Sequence, residues 1–262
     1  MSWAKRIARQ TERLKRIYRN FTNKHSQLSD ALSYCLNSTV DDFDVKTFID
    51  SFWNEPGLKR SIDKVYEIIV YALFSTLVHV LDLKVEVSVN SDHFDILSEF
   101  EDFAQKVMRI DFNNPSCVQE GKVYRVGVTN AADRGLDMYS NWGPAIQIKH
   151  LSLDEELAEN IVSSVSTDKI IIVCKKAEKG VILSLLTQIG WRSHIQSIVT
   201  EDNLIEWYEK ALRGEYSALT GNQLLFCLCE EITKEFPSIS IEDSPQILKN
   251  RHYDNISVEF WK

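Results

Sequence analysis

Apolar positions recur along this chain at two periods, near 3.6 and near 2, and the places where one gives way to the other mark out its elements. Trp3, Ile7, Leu14, Ile17, Tyr18 and Phe21 fall at helical spacing and predict an amphipathic helix over residues 3–21. Residues 25–36 continue helically. Asp41 to Trp53 predict a further short helix, stopped by Asn54-Glu55-Pro56-Gly57. From Leu58 to Leu81 the apolar residues predict a long buried helix, and Leu83 to Asn90 alternate as in a half-buried strand. Asp92 to Met108 return to helical spacing, and Asn113 to Ser116 read as a loop. Strands follow at Val123–Thr129, at the segment bearing Asp137, and at Ala145–Leu151, the last two joined by a turn at Asn141-Trp142-Gly143-Pro144. Ser152 with Glu155 three residues on is a capping-box pattern, so a helix should run to about Ser164. Asp168 to Lys175 is one continuous apolar run, the mark of an internal strand. A helix (Glu178–Ile189), a short strand (Ile195–Val199) and two helices (Glu201–Leu212, Leu219–Phe236) complete the readable chain. A last strand is expected at Asn255–Trp261.

This order predicts a mixed α/β (α+β) fold, with a central mixed β-sheet flanked by helices on both faces. Three regions are expected: an N-terminal helical subdomain (1–57), a core (58–214) and a C-terminal helical or irregular extension (215–262).

Composition narrows the class. The 262 residues suit one large domain with helical additions. No uninterrupted apolar run reaches spanning length, so no membrane segment is expected. The five cysteines are scattered without a CxxC pair, which points to a reduced, cytoplasmic protein without structural zinc. Net charge is −8, but residues 1–24 hold eight basic residues and one acid, making that segment +7 and the remainder −15. A basic helix on an acidic body either faces phosphates or is a solvated face that neutralises the body. No P-loop, dinucleotide fingerprint or nucleophile elbow occurs, so no nucleotide cofactor is expected.

The hairpin around Asn141–Pro144 holds the chemistry. Strand parity puts Ile146, Ile148 and His150 on one face and Gln147 and Lys149 on the other. A polar amide beside a lysine on an apolar strand suits a metal-dependent phosphodiesterase. Hydrolysis of a phosphodiester at neutral pH needs a cation that neutralises charge and acidifies water. Magnesium takes oxygen ligands, and Asp137 with the side-chain oxygen of Gln147 and the carbonyl of Ile148 supplies them. Lys149 lies on the same face to stabilise the transition state. Glu67, on the long apolar helix, is either a supporting carboxylate for metal-bound water or part of an exposed stripe. His150 points away by parity and receives no catalytic role.

Asp137, then Gln147-Ile148-Lys149 on the next strand, with a helical Glu67, resembles the PD-(D/E)XK nuclease superfamily. The wording from Val123-Tyr-Arg-Val-Gly-Val-Thr-Asn-Ala-Ala-Asp-Arg-Gly-Leu-Asp137 through Gln147-Ile-Lys149 to Asp168-Lys-Ile-Ile-Ile-Val-Cys-Lys175 is similar to the HaeII-type family of type II restriction endonucleases. The resemblance covers roughly residues 120–176. It implies a homodimer that uses Mg2+ to cut double-stranded DNA at a short palindromic site. Position 147 departs from the superfamily pattern, since a neutral Gln binds a hard cation less strongly than Asp or Glu. Base or backbone contacts are expected from Asn130, Asp133, Arg134, Tyr139, Asn141, Trp142, Lys175, Lys176 and Arg192, each of which also reads as ordinary surface polarity. Two other readings stay open: a DNA-binding or assembly protein that keeps the fold without chemistry, and a repair or junction-resolving nuclease.

Overall fold

The computed structural model describes residues 29–30, 33–54, 61–126, 136–165, 167–178 and 194–236. The chain divides into two compact units, one made of Met1–Leu73 with Asp202–Lys262, the other of Phe74–Glu201. The expected helix at 3–21, residues 179–189 of the helix expected at 178–189, the loop at 130–135 and the expected C-terminal strand lie outside the described residues.

In the first unit a helical turn at 33–37 leads to α1 (Val45–Asn54), α2 starts (Ile62–Val80), and α5 (Glu201–Arg213) and α6 (Ser217–Glu235) follow from the C-terminal half. Aromatic residues at helical spacing on α1 place Phe48 and Phe52 on one face, with ring centroids 5.3 Å apart and nearly perpendicular. Phe43 joins Phe48 at 5.8 Å and Tyr208 of α5 at 6.4 Å. Tyr208 is fully buried, and its hydroxyl donates to the Ile69 carbonyl at 2.8 Å, which satisfies the polar end of the ring. Gly221 of α6 has no room for a Cβ, which would sit 2.8 Å from Val40.

The second unit holds a five-stranded mixed sheet in the order β3-β4-β5-β6-β7: Val123–Arg125, Met138–Ser140, Ala145–Leu153, Ile170–Ala177 and Ile195–Thr200. β3, β4 and β5 pair antiparallel, whereas β5, β6 and β7 run parallel. Parallel strands need a crossover, and α4 (Glu155–Ser164) provides the one between β5 and β6. Ala158 and Ile161 of α4 pack with Ala145, Ile170, Ile172, Cys174 and Ile195 on the sheet. Each isoleucine taken from water in this layer contributes about 1.5–3 kcal/mol, so the layer holds β5 firmly from one side.

Four local expectations are corrected. β5 runs on to Leu153, so Ser152 is a strand residue, and Asp154 caps α4 instead by accepting from the Leu157 N–H at 2.8 Å. β1 (Lys84–Ser88) is largely exposed and not half-buried, because among the described residues its one strand neighbour is β2 (Ser116–Glu120) in a separate two-stranded sheet. β2 follows the expected loop, where its five residues are too few to show a clear alternation. The helix expected over Asp92–Met108 is broken. A 3-10 turn (Ser91–His93) and α3 (Phe94–Glu99) end at Phe100, a short turn follows, and a π-helical turn at Ala104–Met108 closes on Arg109 in the left-handed region.

Candidate functional site

The turn between β4 and β5 is built as its residues suggest. Gly143 takes φ +122°, where a side chain would be strained, and the Ser140 N–H donates to the Pro144 carbonyl at 3.1 Å. Asn141 fixes the turn to the chain before β3. Its Oδ1 accepts from the Lys122 N–H at 2.8 Å, and its Nδ2 donates to the Glu120 carbonyl at 2.7 Å. Both ends of that amide are therefore engaged by backbone.

Beyond the turn, β4 and β5 pair only at Tyr139–Ala145 and Met138–Ile146. The Asp137 backbone stays with the β3 side, accepting from the Val126 N–H at 2.9 Å. Its side chain crosses to β5. Asp137 Oδ2 accepts from the Ile148 backbone N–H at 2.7 Å and from Gln147 Nε2 at 2.5 Å. The direction follows from strand geometry: the Ala145 N–H points to the β6 side, toward the Lys169 carbonyl, so the Ile148 N–H, three residues on, points to the β4 side. A carboxylate occupies the place where a continued ladder would have put a backbone carbonyl.

Lys149 Nζ lies 4.0 Å from the same Asp137 oxygen. The sheet thus brings together Asp137, Gln147 and Lys149, with Ile148 between them. Lys149 is the most open of the three, while Gln147 is 2% exposed. Gln147 Oε1, on the amide whose nitrogen binds Asp137, is buried and has no hydrogen-bond partner among the described residues. An acceptor left so costs about 1–3 kcal/mol, and an oxygen-seeking cation would satisfy it. Among the described residues no group of three or more His, Cys, Asp and Glu could hold a metal. A cation here would have to use mixed oxygen donors: the Asp137 carboxylate, the Gln147 amide oxygen and the Ile148 carbonyl, which shares an edge of β5 with the Ile148 N–H. The residues present fit such a hard cation.

Glu67 belongs to the other unit. It is buried on α2, and its carboxylate takes Lys64 Nζ at 2.7 and 3.0 Å. Tyr139 stacks on Tyr124 of β3, centroids 5.0 Å apart and 18° from parallel, both rings partly exposed. Equal parity on paired strands was the signal for that partner, which sequence reasoning passed over. Trp142 is partly exposed on the turn, Lys175 is half-buried on β6 and Lys176 is exposed. Asn130, Asp133, Arg134 and Arg192 lie outside the described residues.

His150 is fully buried on the face away from Lys149, with Nε2 3.0 Å from Oε2 of Glu201. Nothing in the sequence links two residues 51 positions apart. Cys174, the β6 partner of Lys149, has its thiol pushed up to about 12 by burial.

A family model described as HaeII restriction endonuclease matches residues 7–253. The chain is similar to the type II restriction enzyme HaeII of Haemophilus aegyptius, 55% identical over 238 residues that make up 91% of this chain and 68% of that protein. It is also similar to the type II restriction enzyme NgoBI of Neisseria gonorrhoeae, 54% identical over 239 residues, 91% of this chain and 67% of that protein. No solved structure matches it.

Proposed function

The chain belongs to the HaeII restriction endonuclease family and is a type II restriction endonuclease, and from that premise we propose that it cuts double-stranded DNA at a palindromic site using Mg2+ held by Asp137, Gln147 and Ile148, with Lys149 as the catalytic lysine. The observation that carries the metal assignment is the Gln147 amide. Its nitrogen is bound to Asp137, and its oxygen, beside the same carboxylate, is buried without a hydrogen-bond partner among the described residues. When bound, the cation neutralises the scissile phosphate and acidifies a water.

The rest falls to the chain's own groups. The Gln147 and Ile148 N–H groups hold Asp137 Oδ2 in place before any cation or DNA arrives, so the site is organised in advance. Lys149 places a positive charge where negative charge gathers on the non-bridging oxygens as water adds to phosphorus and the ester oxygen leaves. Its partly open position lets the ammonium reach DNA without leaving the sheet. Glu67 lies in the other unit, where its carboxylate pairs with Lys64.

Residues 58–214 form the proposed nuclease core. For DNA contacts the proposal rests on Tyr139 and Trp142 beside the site, on Lys175 and Lys176 of β6, and on Asn130, Asp133, Arg134 and Arg192. Asn141 serves the turn. Two-fold symmetry of a palindromic site calls for a homodimer. Among the described residues no helix is long and apolar enough to cross a membrane, and a cytoplasmic location belongs to the proposal.

The test is plasmid cleavage with Mg2+. Discrete fragments are expected from the wild type, and Lys149→Ala should slow cleavage at least about 100-fold while DNA binding persists. Unchanged cleavage by Lys149→Ala would overturn the assignment. Sequence-independent nicking by the wild type would favour a repair-type nuclease.

A further inference from the structure

Tyr124 of β3 and Tyr139 of β4 stand on the same face of the sheet as the proposed metal ligands. The register puts Tyr124 opposite Tyr139 and Tyr139 opposite Ala145. Ala145, Gln147 and Lys149 alternate onto one face of β5, and the Asp137 side chain meets Gln147 there. Asp137 lies two residues from Tyr139 along the extended chain, about 7 Å by strand rise. Over β5 and β6 this face is covered by α4, and its side chains pack into the core. Over β3 and β4 it carries the two tyrosines, and both are exposed.

The form of the pair says what it can hold. The ring centroids lie 5.0 Å apart, with the planes 18° from parallel. Each ring spends one face on the other, so no slot remains between them for a base. Side chains stand roughly perpendicular to a sheet, so the phenol hydroxyls are the outermost atoms. Two neutral O–H donors side by side suit the oxygens of a phosphate chain, which accept from tyrosine hydroxyls. Stacking fixes both rings before DNA arrives, so little side-chain freedom is lost on contact. A cross-strand aromatic pair also steadies β3 against β4, but that duty needs only the rings. Replacing tyrosine by phenylalanine therefore separates the two roles.

We propose that Tyr124 and Tyr139 together hold the sugar–phosphate backbone of the DNA beside the scissile phosphate, each donating its hydroxyl to a phosphate oxygen. The proposal rests on the nuclease reading given above. It adds Tyr124 to the DNA contacts and gives Tyr139 a contact that fixes position and reads no sequence.

Tyr124→Phe, Tyr139→Phe and the double variant test this, because each keeps the stack and removes only hydroxyls. Fluorescence anisotropy reads the Kd for two duplexes, one carrying the cleavage site mapped on the plasmid and one with that site scrambled. Ca2+ replaces Mg2+, so that binding is read without turnover. Each single variant should weaken binding about 10-fold, and equally for both duplexes, since a phosphate contact carries no sequence information. The slope of log Kd against log salt should stay as in the wild type, because a neutral donor releases no counterion. With Mg2+, the single-turnover cleavage rate at saturating protein should be unchanged, as for a contact made equally before and during the reaction. Variants that bind both duplexes as tightly as the wild type would overturn the assignment and leave the pair as packing. A loss confined to the mapped site would overturn the backbone contact in favour of base reading. A wild type that neither cuts plasmid into discrete fragments nor binds duplex DNA would overturn the nuclease reading itself, and this assignment with it.

Discussion

Replacing Gln147 by Glu tests the candidate site from two directions at once. The substitution keeps the length of the side chain and changes a donor into an acceptor. In the wild type Gln147 Nε2 donates to Asp137 Oδ2 at 2.5 Å, and Asp137 is mostly shielded from water. Losing that charge-assisted bond costs about 2 kcal/mol. The new carboxylate then lies against Asp137, and repulsion between the two like charges adds to that loss. The variant should therefore be at least about 2 kcal/mol less stable than the wild type at neutral pH in the presence of a chelator. The sign with pH is definite. Repulsion raises the folded pair's affinity for a proton above that of the unfolded chain, so the repulsive part of the deficit shrinks as pH falls through the carboxylate range. Magnesium should act in the opposite sense to the chelator. A second carboxylate binds a hard cation more tightly than an amide, and each tenfold gain in affinity returns about 1.4 kcal/mol at saturating metal. Urea unfolding with chelator and with Mg2+, followed by titration calorimetry of both proteins, measures each part. Equal stability of the two proteins in chelator would refute the Gln147–Asp137 contact. An equal response to Mg2+ would refute Gln147 as a ligand.

Three further outcomes are expected. Asp154→Ala should cost about 1 kcal/mol in urea unfolding through the lost cap of α4, whereas Ser152→Ala should change little; the reverse ranking would restore the capping box read from the sequence. His150→Ala leaves Glu201 buried without its imidazole partner and should destabilise by about 3 kcal/mol, with the Mg2+ affinity of the remaining folded protein unchanged because the pair lies on the other face of β5; a weakened Mg2+ affinity would tie the pair to the metal site. The Cys174 thiol, held at about 12 by burial, should resist a disulfide reagent at pH 8 in the native protein and react on unfolding; peptide mapping that finds Cys174 modified under native conditions would contradict that burial.

The long elements were legible because each buries one face and therefore repeats its apolar residues at its own period. That is why β6 showed as one apolar run and why α2, α5 and α6 showed as helices close to their observed bounds. Elements outside the main cores escaped. β2 buries almost nothing, so no selection for alternation is written into it, and the helix expected over Asp92–Met108 has apolar residues all round, a pattern that hides its break at Phe100. The site divides in the same way. Gln147 and Lys149 could be placed side by side from strand parity alone, since a strand alternates by geometry. That Asp137 leaves its own ladder to bind the Ile148 N–H, and that the Gln147 oxygen ends buried without a partner among the described residues, depend on where β4 stops pairing with β5.

What the sequence determined by itself is therefore what one residue's neighbours along the chain can dictate: the periods, the turn at Gly143, the shared face of Gln147 and Lys149, and the resemblance carried by that wording. The tertiary structure decided the pairings between distant segments: His150 with Glu201, and Tyr139 with Tyr124. The physical reason is that a local pattern records which side chains avoid water, while the partner that covers each one is chosen only when separate elements meet.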